Sequence, residues 1–509
     1  MTVSLQLAHL LDEAVAQCPD KLAIVDEKGH LSFRELQMLA KQLATAFADA
    51  GLAGQQVAAL LLNSSELIIY YLACWMAGVI AVPFEYVDAP PEIRYGLVDS
   101  QARWFIVHEE QLFKLDSIDL SQTSIETIFV VGKPHTHQRN FAELFHVTPR
   151  QLPDPAPETI AFILYTSGST ALPKGVTHSH ATAAGIIQSV LDALRVVDDH
   201  SLINVHDSVS HMGGWIEVFP FLWRKATVIL EKEFEPQLFY DNLRRWRPAV
   251  IGAHVENLWQ MVRHPGAQRA DYASLQVIFT GGEELPLPLQ RAFIDLTGKP
   301  IQVGWGMTEA IWLTIAREPE LNRPGFMGQP VENVKLRVVN PRDGSDMPDN
   351  QVGEFWVQGP MVSPGYWRRP EADREVFVEG WLRTGDMGLR DSQGNFWFTG
   401  RLKQIIERHG ENITPGEIEQ ALYRHPAVAE ACAFGIPDPD AGQVPVAYVH
   451  FKTGQSATEG ELKEFLKTQI AEYKIPVQIL AIDQMPLTPS GKINRKALTE
   501  RYMQRKDSR

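Results

Sequence analysis

Between residues 226 and 304 the chain alternates short apolar runs with amphipathic ones, an order that few folds accommodate. Ala226–Leu230, Ala249–Gly252, Leu275–Thr280 and Ile301–Gly304 read as strands, with Pro236–Trp246, Val255–Val262 and Leu287–Leu296 as the helices between them. Strands so short and so uniformly apolar need cover on both faces, which predicts a parallel sheet coated with helices. In such sheets ligands bind beyond the carboxyl ends of the strands. Two of those ends carry unusual segments, Thr280-Gly-Gly-Glu-Glu284 and Gly304-Trp-Gly-Met-Thr-Glu309, and both are expected as loops facing one crevice.

Upstream, Ser32 with Glu35 forms a capping-box pattern ahead of Leu36, Leu39, Leu43 and Phe47 at helical spacing. The stretch Leu67–Phe84 is uncharged for 18 residues, the lower edge of a membrane span. Gly78 and Pro83 interrupt it, so it reads as a buried helix ending near Gly78 and a short strand Val79–Val82, and no membrane span is expected. Val334–Trp397 alternates with a strand period between turn signals and reads as a β-rich subdomain. Past Gly400, capping boxes at Thr414/Glu417 and Thr458/Glu461 and a strand pair near Val428–Gly435 and Val446–Phe451 mark an α+β domain. The expected fold is α/β: a large domain of helix-covered sheets over residues 1–400, including the β-rich subdomain at about 331–399, and a small mobile α+β domain over 401–509. Residues after Lys496 read as a solvated basic tail.

Lys and Arg number 47 against 62 Asp and Glu, a net charge of −15, which argues against nucleic acid or anionic lipid as a partner. Any polyanion must be held by a local site. Cys18, Cys74 and Cys432 are scattered without a metal or disulfide pattern, and the N-terminus lacks the charge order of a secretory signal, so a cytoplasmic location is expected.

The sharpest chemical feature is Tyr165-Thr-Ser-Gly-Ser-Thr-Ala-Leu-Pro-Lys-Gly175. A strand-like run delivers small hydroxyl residues around one glycine, and a lysine follows. Backbone N–H groups and hydroxyls of that kind ring phosphate oxygens, and the lysine adds a mobile charge. The spacing is not that of a Walker A loop. The segment resembles the phosphate-binding loop of the adenylate-forming (AMP-binding) enzymes, the superfamily of acyl-CoA synthetases, luciferases and peptide-synthetase adenylation domains. It thereby marks Thr166, Ser167, Gly168, Ser169, Thr170 and Lys174 for ATP.

Further motifs follow in the family's order along the chain. Gly304, Trp305, Gly306, Thr308 and Glu309 resemble its aromatic-Gly-x-Thr-Glu segment: the indole suits a purine face, the Thr308 hydroxyl a phosphate, and Glu309 is the hard oxygen ligand that Mg2+ prefers. Gly282 and Glu283 match a purine-side loop. Asp386, ending Trp381-Leu-Arg-Thr-Gly-Asp386, matches the aspartate that takes both ribose hydroxyls, and Arg401 and Lys403 match the ribose–phosphate arginine and the hinge. Lys492, behind Thr488-Pro-Ser-Gly491, matches the adenylation lysine.

The resemblance, most like an acyl-CoA synthetase for fatty or aryl acids, implies two half-reactions. A carboxylate attacks the α-phosphate of ATP to give acyl-AMP and pyrophosphate; the thiol of CoA then displaces AMP. Thr308, Glu309, His211 and Lys492 carry the implied catalysis, and closure about Lys403 would assemble the site. Asp207, His211, Gly214, Trp215, Ala253, His254 and Gly281 are the implied acyl pocket, with His211 a gate towards the thiol tunnel. Asp207 also falls near the aspartate by which amino-acid-activating domains hold an ammonium, which keeps open an enzyme loading an amino, aryl or acyl acid onto a carrier protein. Two departures bear on the acceptor: Ala171 replaces the usual glycine of the phosphate loop, and His409 stands where many such synthetases have a second glycine beside the pantetheine path. The expected partners are a small carboxylic acid, ATP, Mg2+ and CoA; a carrier protein and a homodimer stay open.

Overall fold

Pro236–Trp246 is helical over the whole stretch that the spacing marks. Pro236 sits where no N–H is needed, and the Glu235 carboxylate accepts from the next two free N–H groups, of Gln237 and Leu238. Phe239, Tyr240 and Leu243 form its buried face. The computed structural model describes residues 5–166, 173–195, 202–283, 285–321, 325–409, 411–486 and 493–507. The chain divides into two compact units: Met1–Leu321 with Gly328–Lys335 and Val357–Leu382, and Asn322–Met327 with Leu336–Trp356 and Arg383–Arg509.

In the first unit the expected alternation forms a parallel sheet. Leu22–Asp26, Thr227–Leu230, Leu202–Val205, Val250–Gly252, Val277–Gly281 and Gln302–Met307 lie side by side in that order, and Ala310–Ala316 continues it antiparallel. One expectation is corrected here: Gly304–Met307 is strand, not loop. Gly304 pairs with Gly281 on one side and with Ile315 on the other. Glycine permits that packing, since a Cβ at Gly304 would lie 3.0 Å from the Trp312 ring. The loop shrinks to a two-residue turn, Thr308-Glu309, between the paired residues Met307 and Ala310.

A second sheet orders Gly365–Tyr366, Lys174–Ser179, Ile160–Thr166, Ile80–Phe84, Gln56–Leu60, Trp104–His108 and Thr127–Val131. The uncharged stretch resolves into a helix, Ser65–Ala77, and the strand Ile80–Phe84. Gly78 ends that helix in the left-handed region at φ 63°. Tyr71, Trp75, Phe162, Trp215 and Phe219 pack ring to ring, joining the Ser65–Ala77 and Met212–Trp223 helices to the second sheet. Among the described residues no helix is long and apolar enough to cross a membrane.

The second unit begins β-rich, and the strand pair Val428–Asp438 and Gly442–Phe451 anchors its last sheet. The β segments Leu336–Trp356 and 383–400, expected with the large domain, group here with the residues that follow. Thr458 and Glu461 form the expected capping box. At Thr414 the pattern departs from that box: its hydroxyl donates to Glu417 Oε2 at 2.8 Å and caps no backbone N–H, and Lys474 donates to Glu417 Oε1. The basic tail is also corrected. Arg495–Asp507 is a helix with Leu498 and Tyr502 buried against Phe434 and its neighbours.

Because Gly78 is held in the left-handed region, Gly78→Ala should destabilise the first unit by about 1–2 kcal/mol. Urea unfolding checks this, and an unchanged midpoint would contradict it.

Candidate active site

The Thr308-Glu309 turn is held from three directions, all within the first unit. Glu309 is buried, and its Oε1 accepts from the Tyr366 hydroxyl at 2.6 Å. Burial and the adjoining carboxylate push the Tyr366 phenol well above its usual range, so it stays a donor. The carbonyl of Glu309 accepts from the Ser363 N–H at 2.7 Å, and the carbonyl of Thr308 accepts from His178 Nε2 at 2.8 Å. That bond fixes the tautomer: the proton sits on Nε2.

His178 belongs to the strand that leaves the phosphate-loop segment. Thr166 ends one strand and Lys174 opens the next, paired across the hairpin. Ser167, Gly168, Ser169, Thr170 and Ala171 lie outside the described residues. Lys174 Nζ stands 4.6 Å over the Tyr366 ring, and the Thr177 hydroxyl donates to the carbonyl of Gly365 at 2.6 Å. Three segments distant in sequence therefore converge on Glu309: 174–179, 308–309 and 363–367. His178, Ser363 and Tyr366 were not among the residues chosen from sequence. The run Gly365-Tyr-Trp367 is a signal in the sequence that could have found Tyr366, and nothing in the spacing of His178 distinguishes it from a core histidine.

At the carboxyl ends of the two sheets a second group assembles. Asp207 follows Leu202–Val205, and its Oδ2 lies 3.3 Å from His254 Nε2, at the end of Val250–Gly252. Glu85 follows Ile80–Phe84 and is half-buried, and the loss of solvent around its carboxyl pushes it up to about 7 despite the pull of His254 and a Ser208 hydrogen bond. Gly214 is needed for packing, because a Cβ there would come 2.4 Å from the carbonyl of Ser208. His211 caps the Met212–Trp223 helix, its Nδ1 accepting from the Gly213 N–H at 3.1 Å. Ala253 is buried at the strand end, and Gly281 lies beside Gly304. Trp215, with 0% exposure, packs among Trp75, Phe162 and Phe219 in the core.

In the segment expected beside the purine, Glu283 Oε1 accepts from the Val255 N–H at 3.0 Å and so caps the Val255–Arg263 helix. Gly282 has φ 78°, Gly306 sits at the irregular register before the turn, and Trp305 is 9% exposed. In the second unit Asp386 is buried and pairs with Arg401 at 3.0 Å across neighbouring strands. Lys403 is exposed in the short helix that follows. His409 holds φ 51° at the tip of a hairpin, the conformation that favours glycine. Lys492 lies outside the described residues.

The model of the AMP-binding enzyme family matches residues 11–367, and that of the AMP-binding enzyme C-terminal domain matches 417–492. The chain belongs to the AMP-binding enzyme family and is an AMP-forming acid–thiol ligase of the CoA-ligase kind. It is 31% identical to a sulfoacetate–CoA ligase of Cupriavidus necator, over 97% of each chain. An indoleacetate–CoA ligase of Aromatoleum aromaticum is 30% identical over 96% of this chain and 97% of its own. The ATP-bound crystal structure of MatB from Rhodopseudomonas palustris superposes with a TM-score of 0.89 at 25% identity, covering 98% of this chain and 99% of that one.

Burial holds His178, His180 and His206 down to about 4, so each is neutral in the fold and gains a proton on unfolding below its ordinary 6.5. Each contributes stability that is full above pH 6.5 and lost as the pH falls towards 4. Glu85, Asp88 and Glu231, held up to about 7 mainly by burial, act oppositely and restore stability as the pH falls from 7 to the ordinary carboxylate range. The stability gap between wild type and His178→Gln should therefore narrow by up to about 3 kcal/mol between pH 7 and pH 4. Urea titrations at several pH values measure that gap, and a constant gap would contradict the assignment.

Proposed function

We propose that this ligase activates a compact aryl carboxylic acid to its acyl-AMP and transfers the acyl group to CoA. The observation that carries the reading is the convergence of Lys174, Tyr366 and the Thr308-Glu309 turn in the same unit as the Asp207–His254 group at the strand ends. The first set suits a triphosphate and the second the acid. A long alkyl chain would bury methylenes against Asp207 and Glu85, which apolar surface does not compensate. A ring with a polar substituent fits better, and the indoleacetate-activating relative supports that size class.

In the first half-reaction the acid's carboxylate oxygen bonds to the α-phosphorus, the bond to the bridging oxygen breaks, and pyrophosphate leaves. The protein has little covalent work to do; it aligns the groups and offsets charge on the phosphate oxygens. Lys174 and Lys492 supply cations for that task. Glu309 and the Thr308 hydroxyl are the hard oxygen donors that Mg2+ takes beside substrate phosphates, so they would hold it, and bound there it would offset phosphate charge. Asp386 would accept from the ribose hydroxyls and Arg401 orient it, with Lys403 as the pivot of the second half-reaction.

Acid-dependent pyrophosphate exchange over a panel of aryl, fatty and α-amino acids, followed by thioester formation with CoA, tests the reading. Aryl acids should exchange fastest and yield CoA thioesters. Exchange with α-amino acids alone, without CoA thioester, would overturn it. Separately, Lys492→Ala should slow acyl-AMP formation by about 100-fold or more while sparing thioester formation from supplied acyl-AMP. Equal loss in both half-reactions would contradict the role of Lys492.

A further inference from the structure

Glu217 is the only charged residue in the helix Met212–Trp223, and it is 1% exposed. Among the described residues its Oε2 has no hydrogen-bond partner, and burial together with the Asp207 carboxylate disfavours its charge. Buried carboxyls are ordinarily bonded, because leaving one unpaired is costly. The room for this one is made by Gly252, at the end of its strand: a Cβ there would fall 1.7 Å from Glu217 Oε1. Two residues further along the chain, His254 meets Asp207. Glu85, Asp207 and Glu217 thus bring three carboxyl groups to one region, and among the described residues both ring nitrogens of buried His206 also lack hydrogen-bond partners.

A fold gains nothing from such a group unless something else completes it. A second anionic group on the substrate would meet three carboxyls. An alkyl group would leave Glu217 as it stands, unpaired. A cationic N–H donor answers both problems, since it bonds Oε2 and lets the carboxyl ionise beside an opposite charge. We infer that Glu217, with Asp207, recognises a basic nitrogen on the acid substrate, at the end remote from its reacting carboxylate. This specificity rests on the proposed acid activation.

Matched acids test it: 4-(aminomethyl)benzoate against 4-ethylbenzoate, and 3-(aminomethyl)phenylacetate against 3-ethylphenylacetate, in pyrophosphate exchange with wild type and Glu217→Gln. Wild type should prefer the amine in each pair by about tenfold or more in kcat/KM, and Glu217→Gln should remove most of that preference. A residue kept for its ligand rather than for the fold also makes a second prediction: the thermal midpoint of Glu217→Gln should equal or exceed that of wild type. Preference of wild type for the ethyl acids, an amine preference untouched by Glu217→Gln, or a large fall in the midpoint would overturn the inference and leave acid activation standing. Exchange with no ring acid would overturn the proposed function and the inference together.

Discussion

The Tyr366 hydroxyl donating to Glu309 is the contact on which the arrangement around the Thr308-Glu309 turn depends. Glu309 sits in a two-residue turn, which alone leaves a long carboxylate free to sample many rotamers. A hydrogen bond to a charged group contributes roughly 1.5–3 kcal/mol, enough to select one arrangement. Tyr366 is placed by its own strand pairing, where Gly365 and Tyr366 face Thr177 and Val176. His178, on that same strand, holds the turn from its other side through the carbonyl of Thr308. One short strand after the phosphate-loop segment therefore sets both Glu309 and Thr308, and it also positions Lys174 over the Tyr366 ring.

The Asp207–His254 group is built on a different principle. Raised carboxyls and the neutral imidazole of His206 crowd the carboxyl ends of the strands, where burial rather than opposite charge governs their protonation. A net charge of −15 says little about such a site. What matters there is the local gathering of carboxyls, Glu85, Asp207 and Glu217.

Much of this architecture was legible because local signals agreed with each other. Gly78 and the Ser32/Glu35 box mark helix ends that the structure retains, and Pro236–Trp246 has its cap, its proline and its apolar face all in register. The segment 304–307 misled because two glycines around a tryptophan look like a loop, whereas here they allow close strand packing against Trp312. His178 was hidden for another reason: its partner lies 130 residues away, and no spacing rule reaches that far. Glu217 did carry a signal, as a lone carboxyl in an otherwise apolar helix, but its meaning needed Gly252 and Asp207 beside it.

The reaction that defines this ligase joins a carboxylate to the α-phosphorus of ATP. The most direct measurement is to supply an exchange-competent acid with 18O in its carboxylate, run the reaction through to the CoA thioester, and locate the label by mass spectrometry. One labelled oxygen should appear in AMP, because the acid's own oxygen stays on phosphorus when the thiol displaces the nucleotide. Label in inorganic phosphate, with ADP as the nucleotide product, would contradict the account.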